Sequence, residues 1–338
     1  MQNLLWPSIR WQDDLAPELA GLYEQNLTPH FFTQASDVPD EIWRTCDAIL
    51  GPPVSPKHME KLDRCRIYVK PAVGYDEIDL AAWADLGIPV CNTPNYGTRE
   101  VADHAMALAL TLMKSIAFHD ESLRRDPINN WRPALNPFGQ RLSNCRAGIV
   151  GLGRIGTATA LRLKAFDMDV SFYDPYKPNG ADLALGIDRE ESLEALFGSC
   201  DLISLHLPLN DETANLINAT VLDCAKPGLI LINTARGPIV DIDAVYQALK
   251  ADKILAAGLD VLPDEPANMA APLIKAWHEG EAWLKHRLIV TPHSAFFTPQ
   301  SMYDIRNFST VTAVKYLTTG RLDNCVNDHL LKHRRGLD

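Results

Sequence analysis

The sequence predicts an α/β protein of about two domains, built on parallel, doubly wound sheets. Three observations support this fold class. Short apolar segments alternate with helical segments along most of the chain, as in parallel sheets covered by helices. A glycine-rich stretch, "GIVGLGRIG", joins one apolar segment to a helix at residues 148–156. Finally, 338 residues suffice for about two domains with a well-buried core.

The first part of the chain has the pattern of short β/α units. Strands are predicted at 46–50, 66–69 and 88–93, with a turn leading into a helix over 73–87. Thr98 is a suitable N-cap, and the apolar residues after it fall at the 3–4 spacing of a helix that buries one face. These apolar positions are 101, 105, 108, 109, 112 and 116. Residues 126–144 carry three prolines and no period, which predicts a loop.

Beyond this loop the β/α alternation resumes. The predicted strands are 147–150, 169–173, 201–206, 229–232, 254–259 and 287–291, with helices near 155–166 and 241–251. The last stretch, about 297–338, is predicted to be helical and to fold back on the first part.

Composition and charge narrow the function classes. The chain is 46% hydrophobic and 22% charged, as in an ordinary globular protein, and its net charge is −11. An acidic protein has no long-range attraction for nucleic acid or anionic membranes, so we expect neither as a partner. Seven single cysteines predict reduced thiols, and we expect no metal ligands. The N-terminus lacks a signal peptide pattern and the longest apolar run, 105–113, cannot span a bilayer, which predicts a cytoplasmic location.

The glycine-rich stretch has the context of a dinucleotide site. Gly151 permits a tight turn, Gly153 lets a pyrophosphate approach the backbone, and Gly156 lets helix and strand pack closely. The second strand of the unit ends in Asp174, which would accept hydrogen bonds from both ribose hydroxyls and repel a 2′-phosphate. The sequence therefore predicts NAD, with NADH preferred over NADPH. The predicted contacts are Gly151, Gly153, Arg154, Ile155, Gly156 and Asp174.

Three polar residues follow later strands in loops bordered by proline or glycine. They are Arg236 in "LINTARGPIVD", Glu265 in "GLDVLPDEP" and His293 in "LIVTPHSAFF". The carboxyl ends of parallel strands are where such a sheet binds its ligand. Taken singly, each also fits an ordinary role: a surface arginine, a solvated acid or a histidine in a turn.

Five stretches together resemble the D-isomer-specific 2-hydroxyacid dehydrogenases over nearly the whole length. They are "GIVGLGRIG…FYDP", "SCDLISLHLPLNDETANLIN", "KPGLILINTARGPIVD", "AAGLDVLPDEP" and "IVTPHSA". The resemblance implies a Rossmann-type NAD-binding domain, residues 97–296, inserted into a smaller flavodoxin-like substrate domain, residues 1–96 and 297–338. It also implies an active site in the cleft between the domains, and reversible hydride transfer between NADH and a 2-oxoacid.

The same resemblance assigns roles to residues. His293 would be the general acid/base, Glu265 would orient it, and Arg236 would bind the substrate. Asp260 would approach the nicotinamide carboxamide. The further cofactor contacts implied are His206, Leu207 and Pro208 beside the adenine or along the cofactor wall, Thr234 and Ala235 beside the nicotinamide, and Thr98.

The substrate loop departs from the family pattern R-x-G-x-G-[YFV]-D-N-[IV]-D. Here it reads "KPAVGYDEID", with Lys70 for the arginine, Ala72 for the first glycine and Glu77 for the asparagine. Backbone N–H groups near Val73 and Gly74 would still bind a substrate carboxylate. Lysine offers a point charge instead of a planar fork, which predicts a different substrate geometry.

Two features resemble the C-terminal-binding-protein branch of the family. Phe296 follows the predicted histidine where that branch carries an aromatic residue, and the stretch "GRLDNCVNDHL" lies near the end of the chain, at residues 320–330. If Phe296 lines the pocket, it favours a substrate with an apolar side group over glyoxylate.

The resemblance also implies a homodimer formed through the NAD domain by the helix near residue 99 and the loop after it, although the apolar face of that helix would equally suit a core helix.

One alternative function is an NAD(H)-sensing dimeric corepressor or scaffold of the C-terminal-binding-protein type. Two other reactions on the same fold are less favoured. Formate oxidation is associated with glutamine in place of Glu265, and phosphite oxidation with lysine in place of Val73. The sequence leaves open which 2-oxoacid is used, the physiological direction, and whether the oligomer is larger than a dimer.

Overall fold

The computed structural model describes residues 2–9, 14–22, 26–132 and 139–336. Its strands are β1 (Gln2–Trp6), β2 (Leu27–Phe31), β3 (Ala48–Leu50), β4 (Ile67–Val69), β5 (Val90–Cys91), β6 (Arg146–Val150), β7 (Asp169–Tyr173), β8 (Asp188–Arg189), β9 (Leu202–Leu205), β10 (Leu229–Asn233), β11 (Ile254–Leu259) and β12 (Leu288–Val290). Its helices are α1 (Ala16–Ala20), α2 (Asp40–Thr45), α3 (Pro56–Met59), α4 (Leu80–Asp85), α5 (Thr98–Met113), α6 (Ile116–Arg125), α7 (Arg154–Ala165), α8 (Ala181–Leu185), α9 (Leu193–Ser199), α10 (Ala219–Asp223), α11 (Ile242–Lys250), α12 (Pro272–His278) and α13 (Pro299–Thr319). The strands form two parallel sheets, which confirms the predicted α/β class.

The chain divides into two compact units. Unit 1 comprises Met1–Gly97 and Phe297–Asp338, and unit 2 comprises Thr98–Phe296. The sheet of unit 1 has the strand order β2-β1-β3-β4-β5, and α13 packs on one of its faces through Ala313, Val314, Tyr316 and Leu317.

The C-terminal stretch differs from the prediction that 297–338 is helical. The helix α13 ends at Thr319, because Gly320 adopts a left-handed conformation with φ of 71°. Residues 324–326 then run antiparallel to the edge strand β5. The side chain of the fully buried Asn327 continues this pairing, accepting a hydrogen bond from the Val90 backbone N–H (2.8 Å) and donating to the Ile88 carbonyl (3.1 Å). Edge pairing, rather than a helix, satisfies the backbone here.

Unit 2 has the strand order β12-β11-β10-β9-β6-β7-β8. The chain starts this sheet at β6, extends it in one direction through β7 and β8, and returns to pair β9 with the other side of β6. The direction of winding therefore reverses between β6 and β9. In open parallel sheets, the crevice at such a switch point, beyond the carboxyl ends of the strands, is where ligands bind.

The helix predicted from Thr98 onward is interrupted. Thr98 is the first residue of α5 and not its N-cap, and α5 ends at Met113 because Ser115 adopts a left-handed conformation with φ of 54°. The apolar face of α5 packs against the sheet of unit 2. Among the described residues, no single helix is long and apolar enough to span a membrane. By length and composition, α5 and α6 pass that test only as a pair bent by 55°.

Candidate dinucleotide and catalytic site

The turn between β6 and α7 depends on glycine at two of its three positions. Gly151 has φ of +88°, and a Cβ there would lie 2.6 Å from the His206 carbonyl oxygen. A Cβ at Gly156 would lie 2.0 Å from the Gly151 carbonyl oxygen. A Cβ at Gly153, in contrast, meets no heavy atom of the described residues within 4 Å. Gly151 and Gly156 are therefore required by packing, whereas Gly153 borders open space at the N-terminus of α7.

Two further predicted contacts begin the helix at this turn. Arg154 and Ile155 are the first two residues of α7, with Arg154 exposed and Ile155 half-buried. The N-terminus of a helix of this length presents unpaired N–H groups and a partial positive charge. Together with the open space at Gly153, this arrangement suits a phosphate group.

Asp174 lies beside the glycine turn. Its Oδ2 accepts a hydrogen bond from the Leu152 backbone N–H at 2.8 Å, and its Oδ1 accepts one from the Tyr176 N–H at 3.0 Å. An ionised carboxylate has about four acceptor positions. Acceptor capacity therefore remains for the two ribose hydroxyls that the sequence assigns to Asp174.

The residues that follow β9 pack beside this turn. His206 Nε2 lies 2.9 Å from Ser204 Oγ, and burial lowers the pKa of His206 to about 3. The imidazole is therefore neutral at neutral pH and is not a second proton carrier. Leu207 Cδ2 is 2.7 Å from the position of a Cβ at Gly151, so this side chain packs onto the glycine turn. Pro208, which is exposed, accepts a hydrogen bond from Thr213 Oγ1 through its carbonyl (2.7 Å).

The loop after β10 contains an unsatisfied polar atom. Within the described part of the chain, the buried hydroxyl of Thr234 has no hydrogen-bond partner. The neighbouring Asn233 orders the loop, accepting from the Ala235 N–H (2.9 Å) and donating to the Arg236 carbonyl (3.0 Å). Buried polar groups are normally satisfied, so the Thr234 hydroxyl is a position where a ligand atom would complete the hydrogen bonding. This atom and the open space at Gly153 fit a bound dinucleotide.

His293 and Glu265 are in direct contact. His293 Nδ1 lies 2.7 Å from Glu265 Oε2, and the two side chains are 41% and 40% exposed. A carboxylate has no proton to donate, so Nδ1 carries the hydrogen and Nε2 is the nitrogen that can exchange a proton with a ligand. The other carboxylate oxygen of Glu265 accepts a hydrogen bond from the Leu262 N–H at 3.1 Å, which fixes the carboxylate.

The loop that carries Arg236 packs against the loop that carries Glu265. A Cβ at Gly237 would lie 1.9 Å from the Leu262 carbonyl carbon and 2.4 Å from the Pro263 nitrogen, so the two backbones touch. Arg236 itself is half-buried, and its Nη1 donates to the Ala235 carbonyl at 2.8 Å. The structure thus places the three predicted catalytic residues in adjoining loops at the carboxyl ends of β10, β11 and β12.

Asp260 has a function that the sequence does not reveal. It is 1% exposed; its Oδ1 accepts from Ser294 N–H and its Oδ2 from Ala295 N–H, both at 2.9 Å. Its backbone carbonyl accepts from His293 N–H at 2.8 Å. Three consecutive amides of the histidine loop are therefore held by one residue, and His293 is held with φ of 49°. In addition to any contact with a cofactor, Asp260 positions the histidine.

Sequence reasoning missed two residues that support Asp260. Thr291 Oγ1 lies 2.6 Å from Asp260 Oδ1 and 3.0 Å from His104 Nε2. The single hydroxyl proton must go to the carboxylate, so His104 Nε2 is the donor toward the hydroxyl oxygen. His104 belongs to the apolar helix α5, where a lone histidine gives no sequence signal of this contact.

Phe296 lies next to the predicted acid/base residue. Its ring is 6.1 Å from the His293 ring, centroid to centroid, at an interplanar angle of 82°. This edge-to-face arrangement places an aromatic side chain beside the imidazole.

In unit 1, the predicted substrate loop is held by its own contacts. Lys70, which is buried, forms an ion pair with Glu77, and its carbonyl accepts a hydrogen bond from Thr93 Oγ1 at 3.2 Å. Asn92 Nδ2 donates to the Val73 carbonyl at 2.7 Å. Val73 and the following Gly74 are half-buried. Asn92, directly after β5, is a further residue that sequence reasoning missed.

The chain is similar to known proteins of one enzyme family. Residues 106–295 match the family model described as "D-isomer specific 2-hydroxyacid dehydrogenase, NAD binding domain". A curated glyoxylate reductase of Korarchaeum cryptofilum (strain OPF8) is 33% identical over 299 residues, which are 87% of this chain and 81% of the relative.

Two solved structures show the same likeness over almost the full length. D-lactate dehydrogenase from Aquifex aeolicus, complexed with NAD and lactic acid, is 30% identical with a TM-score of 0.76, covering 94% of this chain and 96% of that one. The NADPH-dependent glyoxylate/hydroxypyruvate reductase from Sinorhizobium meliloti, in complex with citrate, is 25% identical with a TM-score of 0.81, covering 99% and 100%.

Proposed function

Because the chain belongs to the D-isomer-specific 2-hydroxyacid dehydrogenases, an NAD-dependent family of oxidoreductases acting on CH–OH groups, we propose that it interconverts a 2-oxoacid and a D-2-hydroxyacid with His293 as the acid/base residue. The observation that carries this proposal is the 2.7 Å contact between His293 Nδ1 and Glu265 Oε2. It leaves Nε2 as the exchangeable position on a half-exposed imidazole.

The cofactor site is proposed from the contacts around the glycine turn. When bound, the nicotinamide ring supplies the carbon that accepts or donates hydride. Gly153 and the α7 N-terminus hold the pyrophosphate, the Thr234 hydroxyl pairs with a cofactor atom, and Asp174 holds the ribose hydroxyls. The negative charge of Asp174 disfavours a 2′-phosphate, so NADH is preferred over NADPH. The proposed set also includes Ala235, Asp260 and Thr98.

The proton is handled by the histidine–carboxylate pair. In the reducing direction, His293 Nε2 gives its proton to the 2-oxo oxygen, and in the oxidising direction it takes the hydroxyl proton. Glu265 holds the ring through Nδ1 and compensates the positive charge of the imidazolium. Asp260 holds the backbone of the same loop, so both the ring and its supporting backbone are fixed before substrate binds.

The substrate carboxylate is proposed to bind Arg236 of unit 2. In unit 1, taken by itself, the backbone N–H groups near Val73 and Gly74 are proposed as a carboxylate-binding loop. The planar guanidinium matches a carboxylate and stays charged at any working pH. Lys70 contributes less than the arginine usual at this position, because Glu77 already compensates its charge. Phe296, beside the imidazole, favours a 2-oxoacid with an apolar side group.

The quaternary state is part of the proposal. We propose a homodimer formed through unit 2 by α5 and the segment after α6. In that segment Ile128 and Trp131, three residues apart, are 85% and 78% exposed, so it offers two large apolar side chains that a partner surface would cover. Light scattering on the full chain tests this, with Trp131→Ser expected to shift the mass toward the monomer.

A substrate panel tests the proposed reaction. The full chain is incubated with NADH or NADPH and glyoxylate, pyruvate or a branched 2-oxoacid, and the loss of reduced-cofactor absorbance is followed. We expect turnover with NADH, a higher kcat/KM for the branched acid than for glyoxylate, and a smaller difference between them in Phe296→Ala. Binding of NADH without oxidation by any acid would favour the scaffold alternative, and a preference for NADPH would contradict the role of Asp174.

In Asp174→Asn, which loses the charge but keeps the shape, the preference for NADH should fall.

A further inference from the structure

Two cysteines meet at the edge of the sheet of unit 1. Cys91 is the last residue of the edge strand β5, and Cys325 lies in the segment that follows α13. They are directly opposite each other in an antiparallel bridge. Both are free thiols that belong to the same apolar cluster.

The register of this bridge brings the two side chains together. The flanking hydrogen bonds run from Asn92 N–H to the Asn324 carbonyl (3.2 Å) and from Val326 N–H to the Val90 carbonyl (2.8 Å). Because the bonds are made by neighbours on both sides, the cysteines occupy a non-hydrogen-bonded position. In such pairs the Cα atoms are about 4.5 Å apart and the side chains lie close on the same face. This separation falls within the range of about 4.4–6.8 Å over which disulfides span.

The two thiols differ in reactivity. A hydrogen bond between them lowers the pKa of the Cys325 thiol and raises that of Cys91, which is also fully buried. Cys325 is half-buried, so it is the more accessible residue of the two. Its Sγ also lies 3.3 Å from Asn327 Oδ1. The pair therefore combines an accessible attacking thiol with a buried resolving thiol.

We propose that Cys91 and Cys325 form a modification site that is oxidised to an intramolecular disulfide by a low-molecular-weight disulfide such as glutathione disulfide. The Cys325 thiolate attacks one sulfur of glutathione disulfide, forming a mixed disulfide and releasing glutathione thiolate, which takes up a proton. The Cys91 thiol then loses its proton as its sulfur attacks Cys325 Sγ. The bond between Cys325 Sγ and glutathione breaks, and the second glutathione thiolate leaves and takes up a proton. The two protein thiols are oxidised, and one glutathione disulfide is reduced to two molecules of glutathione.

The disulfide ties the C-terminal segment to β5. Without it, this segment is held on the strand by backbone pairing and by the Asn327 side chain. With it, the segment cannot separate from the strand.

The chain contains an internal comparison for this site. Cys46 and Cys65 also share a hydrogen bond, but both are 0% exposed and the pKa of Cys46 is raised by this contact and by burial. They have no thiol that a dissolved disulfide can reach. Cys224 is exposed without a cysteine partner among the described residues, so a mixed disulfide is its expected product.

The experiment uses the full-length native protein, incubated with glutathione disulfide and then alkylated. A non-reducing peptide map should show one cross-linked peptide pair joining Cys91 to Cys325. Cys46 and Cys65 should stay reduced and should react with the alkylating agent only after the protein is unfolded. The oxidised protein should melt about 4 °C or more above the reduced protein, and dithiothreitol should reverse the shift. These readouts do not depend on enzyme activity, so they are separate from the test of the proposed reaction.

Variants make the assignment specific. Cys325→Ser should lose both the cross-link and the thermal shift, whereas the matched surface variant Cys224→Ser should keep both. The proposal is overturned if the wild-type map shows glutathione remaining on Cys325 with Cys91 still reduced. It is also overturned if the cross-link forms at Cys46 and Cys65 instead, or if neither thiol of the pair reacts while Cys224 is fully modified.

Discussion

Lys70 and Glu77 are ion-pair partners, and they occupy two of the positions at which the loop departs from the family pattern. The Lys70 side chain is 11% exposed and that of Glu77 is 55% exposed. A nearly buried ammonium requires a partner, and the glutamate supplies it. The two residues that depart from the family pattern are thus paired with each other within the loop.

A double-mutant cycle on this pair measures the coupling. Glu77→Gln leaves the ammonium nearly buried without a charged partner, so we expect it to lower the free energy of unfolding. In a Lys70→Met background the same change should have almost no effect. Because Glu77 is largely exposed, the coupling should be about 1 kcal/mol or less, measured by urea denaturation. Effects that simply add would show that the pair is not coupled.

Replacing Glu265 tests the histidine–carboxylate pair. Glu265→Gln removes the negative charge that compensates the imidazolium, and kcat should fall by about 10²- to 10⁴-fold. The Kd for NADH should change little, because the carboxylate holds the histidine rather than the dinucleotide. Asp264→Asn is the matched control, since this exposed acid of the same loop contacts Asn268 and not His293. An equal loss of kcat in both variants would contradict the proposal that Glu265 acts through His293.

Two glycines of the β6–α7 turn are predicted to have different roles, Gly156 in folding and Gly153 in cofactor binding. In Gly153→Ala the new Cβ meets open space and the backbone stays extended, with φ of −76°, so stability should be unchanged. The methyl group would enter the space assigned to the pyrophosphate, so the Kd for NADH should rise about tenfold or more. Gly156→Ala, in contrast, should destabilise the protein, because its Cβ would lie 2.0 Å from the Gly151 carbonyl oxygen. Calorimetry and NADH titration test both variants, and tight NADH binding by Gly153→Ala would exclude this pyrophosphate site.

His206 makes stability depend on pH. Burial lowers its pKa from 6.5 to about 3 in the folded protein, so between these values the unfolded chain binds a proton that the folded chain does not. The free energy of unfolding therefore falls as the pH drops below 6.5, by about 2 kcal/mol at about pH 5. His206→Gln should lose that part of the pH dependence, while the exposed His278→Gln should keep it. Urea denaturation at neutral pH and at about pH 5 measures this change in the free energy of unfolding for each variant. The same pH dependence in His206→Gln and His278→Gln would contradict the assignment.

Thr291 tests whether Asp260 positions the histidine loop. Thr291→Val removes the hydroxyl that bridges Asp260 and His104 while keeping the shape of the side chain. We expect kcat to fall about 10- to 100-fold, since a small displacement of His293 is costly, with a smaller change in the KM for NADH. Thr291→Ser retains the hydroxyl and should restore kcat. A valine variant with wild-type kcat would show that the bridge is not needed for the reaction.

Much of unit 2 follows from local pattern. Apolar strands, the glycine spacing and the acidic residue that ends β7 are local signals. For the strands and helices predicted in unit 2 after residue 146, the observed limits lie within about two residues of the predicted ones, whereas β8, α8, α9, α10 and α12 were not predicted. Unit 1 was less predictable. β2 is half-buried at every position and contains Pro29, so it has neither alternation nor an apolar run. The end of α5 depends on a single left-handed residue, Ser115, which no periodicity indicates.

The sequence alone determined the residue types and spacings that mark a dinucleotide turn and an Arg, Glu and His set, because these are properties of short stretches of chain. Tertiary structure alone decided the partners: Asp260 with the amides after His293, Lys70 with Glu77, and Cys91 with Cys325. Hydrogen bonds and ion pairs depend on distances of a few ångströms between loops and edges. Those distances are set by how strands and helices pack, and local periodicity carries no record of them.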